Sequence, residues 1–242
     1  MKGIIFSAGL GTRLQKLTHN RPKALIELNG KPLLWHAINK LSNAGVEQIV
    51  VNVHHFADQV IDYLTTHNFK TEIFISDERD KLLDTGGGLL HARQFLQGNS
   101  PIIAYNVDVL SSINLNKLAE YHIKEQALAT LVVRQRKTSR YLTIDNNNRL
   151  TGWKNIANND HIIISPDYSN SETWAFSGIQ ILSPEIFDLI TEKGNFPIIP
   201  MYLRLAKTHK ILAYRDQSDF WIDCGKPEQL PLAEKWLKNS LR

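Results

Sequence analysis

The sequence is poor in cysteine, in long apolar runs and in blocks of like charge. It has a single cysteine, Cys224, so an internal disulfide framework is excluded and stability must come from a packed core. No apolar run approaches the roughly 18 residues that a membrane-crossing helix needs. The N-terminal MKGIIFSAG has too short an apolar stretch for a signal peptide, and polar residues follow at once. It reads as a first strand, and with no export signal the expected compartment is cytoplasmic. Charge is balanced, with 28 Lys and Arg against 24 Asp and Glu. The densest basic segment, RQRKTSR at 134–140, reads as a solvated face, so neither nucleic acid nor membrane is an expected partner. There is no internal repeat and no linker rich in Pro, Gly or Ser. The 242 residues are therefore read as one domain, long enough for a sizeable core.

What is present is a strand–helix alternation. Apolar, β-rich runs at 3–8, 48–53, 71–76 and 101–108 are separated by helical patterns at 31–45, 56–67 and 88–96. This rhythm predicts an α/β fold: three αβα layers, Rossmann-like, around a mixed, mostly parallel sheet. Residues 1–112 form one half of the expected domain. Residues 113–242 form the other, less regular half, with strands at 127–134 and 174–182, an Asp-Asn turn within 141–154, and a closing helix after Pro227. The polar stretch 155–172 reads as a flap or irregular hairpin. PEIFDLI and PIIPMYLRLAKT read as helices.

In open α/β sheets, ligands sit beyond the carboxyl ends of the strands. The segment SAGLGTRLQKLTHNRPKAL, 7–25, lies there. Glycines let backbone N–H groups approach an anion without Cβ obstruction, and a following helix end adds a favourable dipole. Alone, GLG is equally a strand-to-loop turn. It is neither a dinucleotide fingerprint, since Leu14 stands where the third glycine would be, nor a Walker loop. Arg13 and Lys23 in the same loop add a guanidinium fork and a mobile point charge. Together these features predict polyphosphate binding.

The combination G-x-G-T-R-L followed by P-K, with NGKPLLWHAINKL after it, resembles the nucleotidyltransferases that activate sugar phosphates, with their GT-A-like fold. The resemblance runs from residue 1 to about 235. It implies that Ala8, Gly9, Gly11 and Thr12 wrap a nucleoside triphosphate, and that Arg13 and Lys23 act catalytically on its phosphates. It also implies Mg²⁺, which takes oxygen ligands, commonly one or two carboxylates. Asp108 in AYNVDVL and Asp223 in FWIDCGKPEQL fit as the pair. Val107 stands where relatives carry glycine, while Trp221, Asp223, Gly225, Glu228 and Leu230 reproduce the second motif.

By the same resemblance, Thr85, Gly86 and Gly87 of LLDTGGGLL lie against the nucleobase, with Asp84 where many relatives have Glu. Ser177 and Gly178 of AFSGIQIL line the sugar pocket. Lys154 binds the sugar phosphate, although Trp153 replaces the usual acidic neighbour. His54 and His55 are adjacent and lack the facing geometry of metal ligands. The implied reaction moves a nucleoside monophosphate from a triphosphate to a sugar 1-phosphate, releasing pyrophosphate. DTGGGL, FSGIQIL and the tail are most similar to the N-acetylmuramate 1-phosphate uridylyltransferases. Guanylyltransferases acting on mannose or heptose phosphates and phosphocholine cytidylyltransferases are alternatives. A non-catalytic nucleotide-sugar-binding module is an alternative of another class. The repeat-rich C-terminal domain of longer family members is not expected. Nucleobase, sugar and oligomeric state are left open.

Overall fold

In the computed structural model, which describes residues 1–240, strand β1 (Lys2–Phe6) lies inside a ten-stranded sheet. Its side chains alternate between two cores. Ile5 enters one, and Ile4 and Phe6 enter the other. The 7–25 segment follows, then a minute hairpin of β2 (Glu27–Leu28) and β3 (Lys31–Pro32). Asn29 and Gly30 form its turn, both at positive φ, as two-residue hairpin loops require. Helix α1 (Leu33–Asn43) buries Leu33, Leu34, Ala37, Ile38 and Leu41 as one stripe. It ends at Gly45, whose φ of 77° is the left-handed stop expected there.

Strand β4 (Gln48–Val53), helix α2 (Ala57–Thr66) and β5 (Glu72–Asp77) continue the alternation close to the expected bounds. Helix α3 (Asp84–His91) begins earlier than the sequence suggested and takes all three glycines into its first turns. A short α4 (Arg93–Leu96) follows. Next come β6 (Ile102–Asn106), β7 (Val109–Ser111) and α5 (Leu115–Glu125).

The second half adds β8 (Ala129–Arg134), β9 (Arg140–Ile144), β10 (Leu150–Asn155) and β11 (Asp160–Ile163). Strand β11 hairpins onto β10, and a 3₁₀ turn at Pro166–Asn170 completes the irregular stretch. The long β12 (Glu172–Leu182) precedes α6 (Ile186–Leu189) and α7 (Ile198–Leu205). Strands β13 (Ile211–Arg215) and β14 (Trp221–Asp223) and helix α8 (Leu230–Ser240) close the chain.

The sheet order is β11-β10-β9-β12-β6-β1-β4-β5, with β8 between β12 and β13. Strands β6, β1, β4 and β5 are mutually parallel. Within this sheet β12 and β10 run against the others, giving the mixed, mostly parallel arrangement. Helices α1, α2, α5 and α8 cover one face. Helices α3, α4, α6 and α7 cover the other. The basic segment 134–140 differs from its reading as a solvated face. Arg134 is ion-paired with the buried Asp216, and Arg136 stacks 4.6 Å over the Trp221 ring. No helix among the described residues is long and apolar enough to cross a membrane.

Candidate active site

The glycine loop leaves β1 and is pinned from below. Leu14 and Ala24 are buried in the core, so the residues just before each, Ala8 to Arg13 and Lys23, are presented toward the cleft on fixed anchors. Gly11 has a φ of 66°, and a Cβ there would lie 2.9 Å from Thr18 Cγ2 and 3.1 Å from Lys23 Cβ. Both the backbone conformation and the close approach call for glycine. At Gly9, by contrast, a Cβ would meet only Lys23 Nζ, at 3.8 Å, so this stretch of backbone is open on one side. The loop then enters a 3₁₀ turn, Thr12–Thr18, rather than an α-helix. The half-exposed Arg13 side chain extends from it. Pro22 is extended, and Lys23 opens a second short turn, Lys23–Leu25.

The two carboxylates meet because β7 and β14 pair. Asp223 stands opposite Val109, and the Cys224 N–H donates to the Asp108 carbonyl at 2.7 Å. Lys23 Nζ is 2.8 Å from Asp108 Oδ2. Arg13 reaches Asp223 Oδ2 at 3.2 Å and Asp108 Oδ2 at 3.9 Å. A Cβ on Gly225 would lie 2.8 Å from Asp108 Oδ2, 2.8 Å from Asp223 Oδ1 and 2.6 Å from Arg13 Nη2. The carboxylates therefore converge on one small space that only glycine keeps clear. Val107 needs no glycine geometry, since it is fully buried and bonded to Phe6 O through its N–H.

Burial pushes the Asp108 carboxyl up, but Lys23 and Arg13 outweigh it and hold the group below the usual carboxylate range. Asp108 is thus an anion at neutral pH. Burial, reinforced by Asp108 and Asp223, pushes the Cys224 thiol up to about 12, so it stays protonated and is no nucleophile. Among the described residues no group of three or more metal-ligating side chains occurs. Two convergent carboxylates beside an open loop instead fit a hard cation that takes its remaining ligands from substrate phosphates and water.

A cleft of about 480 Å³ connects these parts. Ala8, Gly9, Gly11, Thr12, Arg13, Lys23, Thr85 and Asp108 line it, joined by Asn52, Asn106 and Asn195, which sequence reasoning missed. Gly86 and Gly87 face elsewhere. Their N–H groups donate to Phe196 O, and added Cβ atoms would lie 2.3 Å from the Phe196 ring and from Gly194 O. Close packing against 194–196 thus accounts for both glycines without a ligand. Gly178, with φ 74°, sits where β12 slips register on β8, against the Asn106 side chain. The neighbouring Ser177 hydroxyl is buried without a partner. Lys154 lines a separate cavity of about 340 Å³ with His161 and Tyr168. His54 is bonded to the Glu78 carbonyl at 2.8 Å, and the His55 ring packs at a tilt against Phe56.

Arg136 is a further cation near Asp223. It stacks on Trp221 and donates to Phe176 O at 2.8 Å, while its buried Nε has no partner. Its only sequence signal was membership in the basic segment.

Known proteins share this chain's sequence pattern and fold. An N-acetylmuramate alpha-1-phosphate uridylyltransferase from Caulobacter vibrioides is 31% identical, over 96% of this chain and 94% of its own. A mannose-1-phosphate guanyltransferase from Yarrowia lipolytica is 32% identical over 94% of this chain, which spans only 61% of that longer protein. The crystal structure of HddC from Yersinia pseudotuberculosis shares the fold, with a TM-score of 0.78, 22% identity, and 98% and 99% coverage of the two chains. Residues 2–239 match the nucleotidyl transferase family, and the chain belongs to that family.

Proposed function

We propose that the protein transfers a nucleoside monophosphate from a nucleoside triphosphate to a sugar 1-phosphate, with UTP and N-acetylmuramate 1-phosphate as the preferred pair. The observation that carries this is the convergence of Lys23, Arg13 and Asp108, which line the glycine-loop cleft, with Asp223 beside Arg13. The uridylyltransferase relative matches over nearly the whole of both chains, which favours that pair. GTP with mannose 1-phosphate is the second reading, favoured by the comparable identity of the guanyltransferases.

The chemistry is an in-line displacement. A phosphate oxygen of the sugar phosphate attacks the α-phosphorus and pyrophosphate leaves. The attacking oxygen is already ionised near neutral pH, so no general base is required. Backbone N–H groups from Ala8 to Thr12 hold the triphosphate, and Thr85 marks the side of the nucleobase. Lys23 and Arg13 exchange their carboxylate partners for phosphate oxygens and stabilise the charge that develops there. Asp108 and Asp223 would hold Mg²⁺, which when bound offsets the repulsion between the two phosphates. Gly178, against Asn106, and its neighbour Ser177 would lie on the sugar side, as the family resemblance implies. The roles of Gly86 and Gly87 at the base and of Lys154 at the acceptor phosphate rest on the family resemblance alone.

The test is pyrophosphate release with Mg²⁺ across UTP, dTTP, GTP, CTP and ATP, each paired with a panel of sugar 1-phosphates and phosphocholine. Fastest turnover with UTP and N-acetylmuramate 1-phosphate is expected. Preference for GTP and mannose 1-phosphate would establish the second reading. Triphosphate binding without turnover on any acceptor would show a binding module instead.

A further inference from the structure

Behind the glycine loop lies a buried polar chain of which only Asn52 borders the cleft. Ser7, Asn52 and Glu78 are 4%, 3% and 3% exposed. Asn52 Oδ1 accepts from the N–H groups of Ser7 at 2.7 Å and Ala8 at 3.3 Å, and the Ser7 hydroxyl donates to the Asn52 carbonyl. On its other side, Asn52 Nδ2 donates to Glu78 Oε1 at 2.9 Å. The second oxygen of Glu78 accepts from the Leu83 N–H at 3.4 Å, immediately before Asp84 and two residues before Thr85 on the opposite wall of the cleft.

An asparagine amide has a donor end and an acceptor end, and the two can exchange places by rotation. An ionised carboxylate only accepts. Facing Asn52, it fixes the amide nitrogen toward itself and leaves the oxygen for Ser7 and Ala8. Room for this contact comes from Gly88 on α3, where a Cβ would lie 2.8 Å from Glu78 Oε1 and 2.9 Å from Asn52 Nδ2. Glu78 has no ion-pair partner among the described residues, and the titratable groups whose field it feels are His91 on α3 and His54 after β4. Burial lifts its carboxyl above the ordinary range against the pull of those neighbours, so holding the charged form here costs stability.

We propose that Glu78 is a positioning residue for the nucleotide: through Asn52 it sets the start of the phosphate loop, and through Leu83 it sets the wall that carries Thr85. One carboxylate thereby fixes the spacing of both sides of the cleft. The inference rests on the reading of the cleft as a triphosphate site.

The test is Glu78→Gln, which keeps the shape but puts an amide donor against either Asn52 or Leu83. KM for UTP is expected to rise roughly tenfold, the scale of one or two lost buried hydrogen bonds, while KM for the sugar phosphate stays put. Amide hydrogen exchange at Ser7 and Ala8 is expected to quicken by a similar factor, with Ile49–Val51 of β4 unchanged. The double variant Asn52→Asp, Glu78→Gln restores the polarity, because the carboxylate introduced at position 52 accepts from Ser7, from Ala8 and from the amide introduced at position 78. It is expected to restore the protection of Ser7 and Ala8, and it provides a folded protein should the single variant not fold. Unchanged KM and exchange in Glu78→Gln, exchange quickened equally throughout β4, or a double variant with no recovery would each overturn the proposal. The exchange measurements need no substrate. A wild-type protein inert toward every triphosphate would refute the functional reading and leave this one to be decided by exchange.

Discussion

Residues 1–112 build mostly parallel strands joined by helices, whereas residues 113–240 build mostly antiparallel strands, among them the eleven-residue β12, with helices α5 to α8 between and after them. In the first half, polar groups collect where parallel strands end: the loop after β1, Asn52 near the end of β4, Asn106 at the end of β6 and Asp108 just beyond it. That is the behaviour expected of an open α/β sheet. In the second half such a rule has no purchase, and Asp223 is brought beside Arg13 at the border of the cleft by the three-residue strand β14 laid against β7. The first half supplies a cradle by topology, and the second supplies a carboxylate by one local pairing.

Substituting the carboxylates tests that division most severely. Asp108→Asn and Asp223→Asn are each expected to lower kcat by roughly 10²–10³-fold, the scale of losing a main electrostatic group, with circular dichroism unchanged. Near-normal turnover in Asp223→Asn would show that the second half only shapes the cleft. Gly225→Ala sharpens the point. Its methyl would intrude on Arg13, Asp108 and Asp223 together, and a loss approaching that of the carboxylate variants is expected in the same assay.

Much of this was legible in the sequence. The loop could be read because glycine and cation placement there has a physical reason, and β4 because its apolar run fits a strand buried on both faces. The β7–β14 pairing could not, since three-residue strands carry no period. The glycine run at 86–88 looked like a ligand cradle, but its close neighbours are Phe196, Gly194 and the Asn52–Glu78 pair, and sequence does not say which partner approaches. Arg134 and Arg136 looked like surface charge because Asp216 and Trp221, distant in sequence, are what cover them. Asn52 and Glu78 gave no signal, because burial of a polar residue is invisible without the fold.

The next effect in size separates two lysines. Lys23→Ala is expected to lower kcat roughly 10²-fold. Lys154→Ala, in its separate cavity, is expected to change kcat little and KM for the sugar phosphate by less than about tenfold. A kcat loss in Lys154→Ala equal to that in Lys23→Ala would show that β10 and its cavity join the cleft during turnover.

The smallest effect concerns stability in the second half. Burial pushes His122 down to about 4, and its ring is bonded to the Thr130 and Ser183 hydroxyls. Folded His122 is neutral while the unfolded chain takes up a proton below about 6.5. Stability is therefore lost as pH falls from about 6.5 to about 4, by up to about 3 kcal/mol. His122→Gln is expected to flatten that part of the Tm–pH curve, and an unchanged slope would place the acid sensitivity elsewhere.

The central claim is that Asp108 and Asp223 hold one cation beside the phosphate loop. Anomalous diffraction from a crystal soaked with Mn²⁺ and a non-hydrolysable nucleoside triphosphate tests it directly. The account predicts one peak bonded to both carboxylates, with the phosphates lying on the backbone of Gly9–Thr12. A peak away from both carboxylates, or a triphosphate bound outside the cleft, would contradict it.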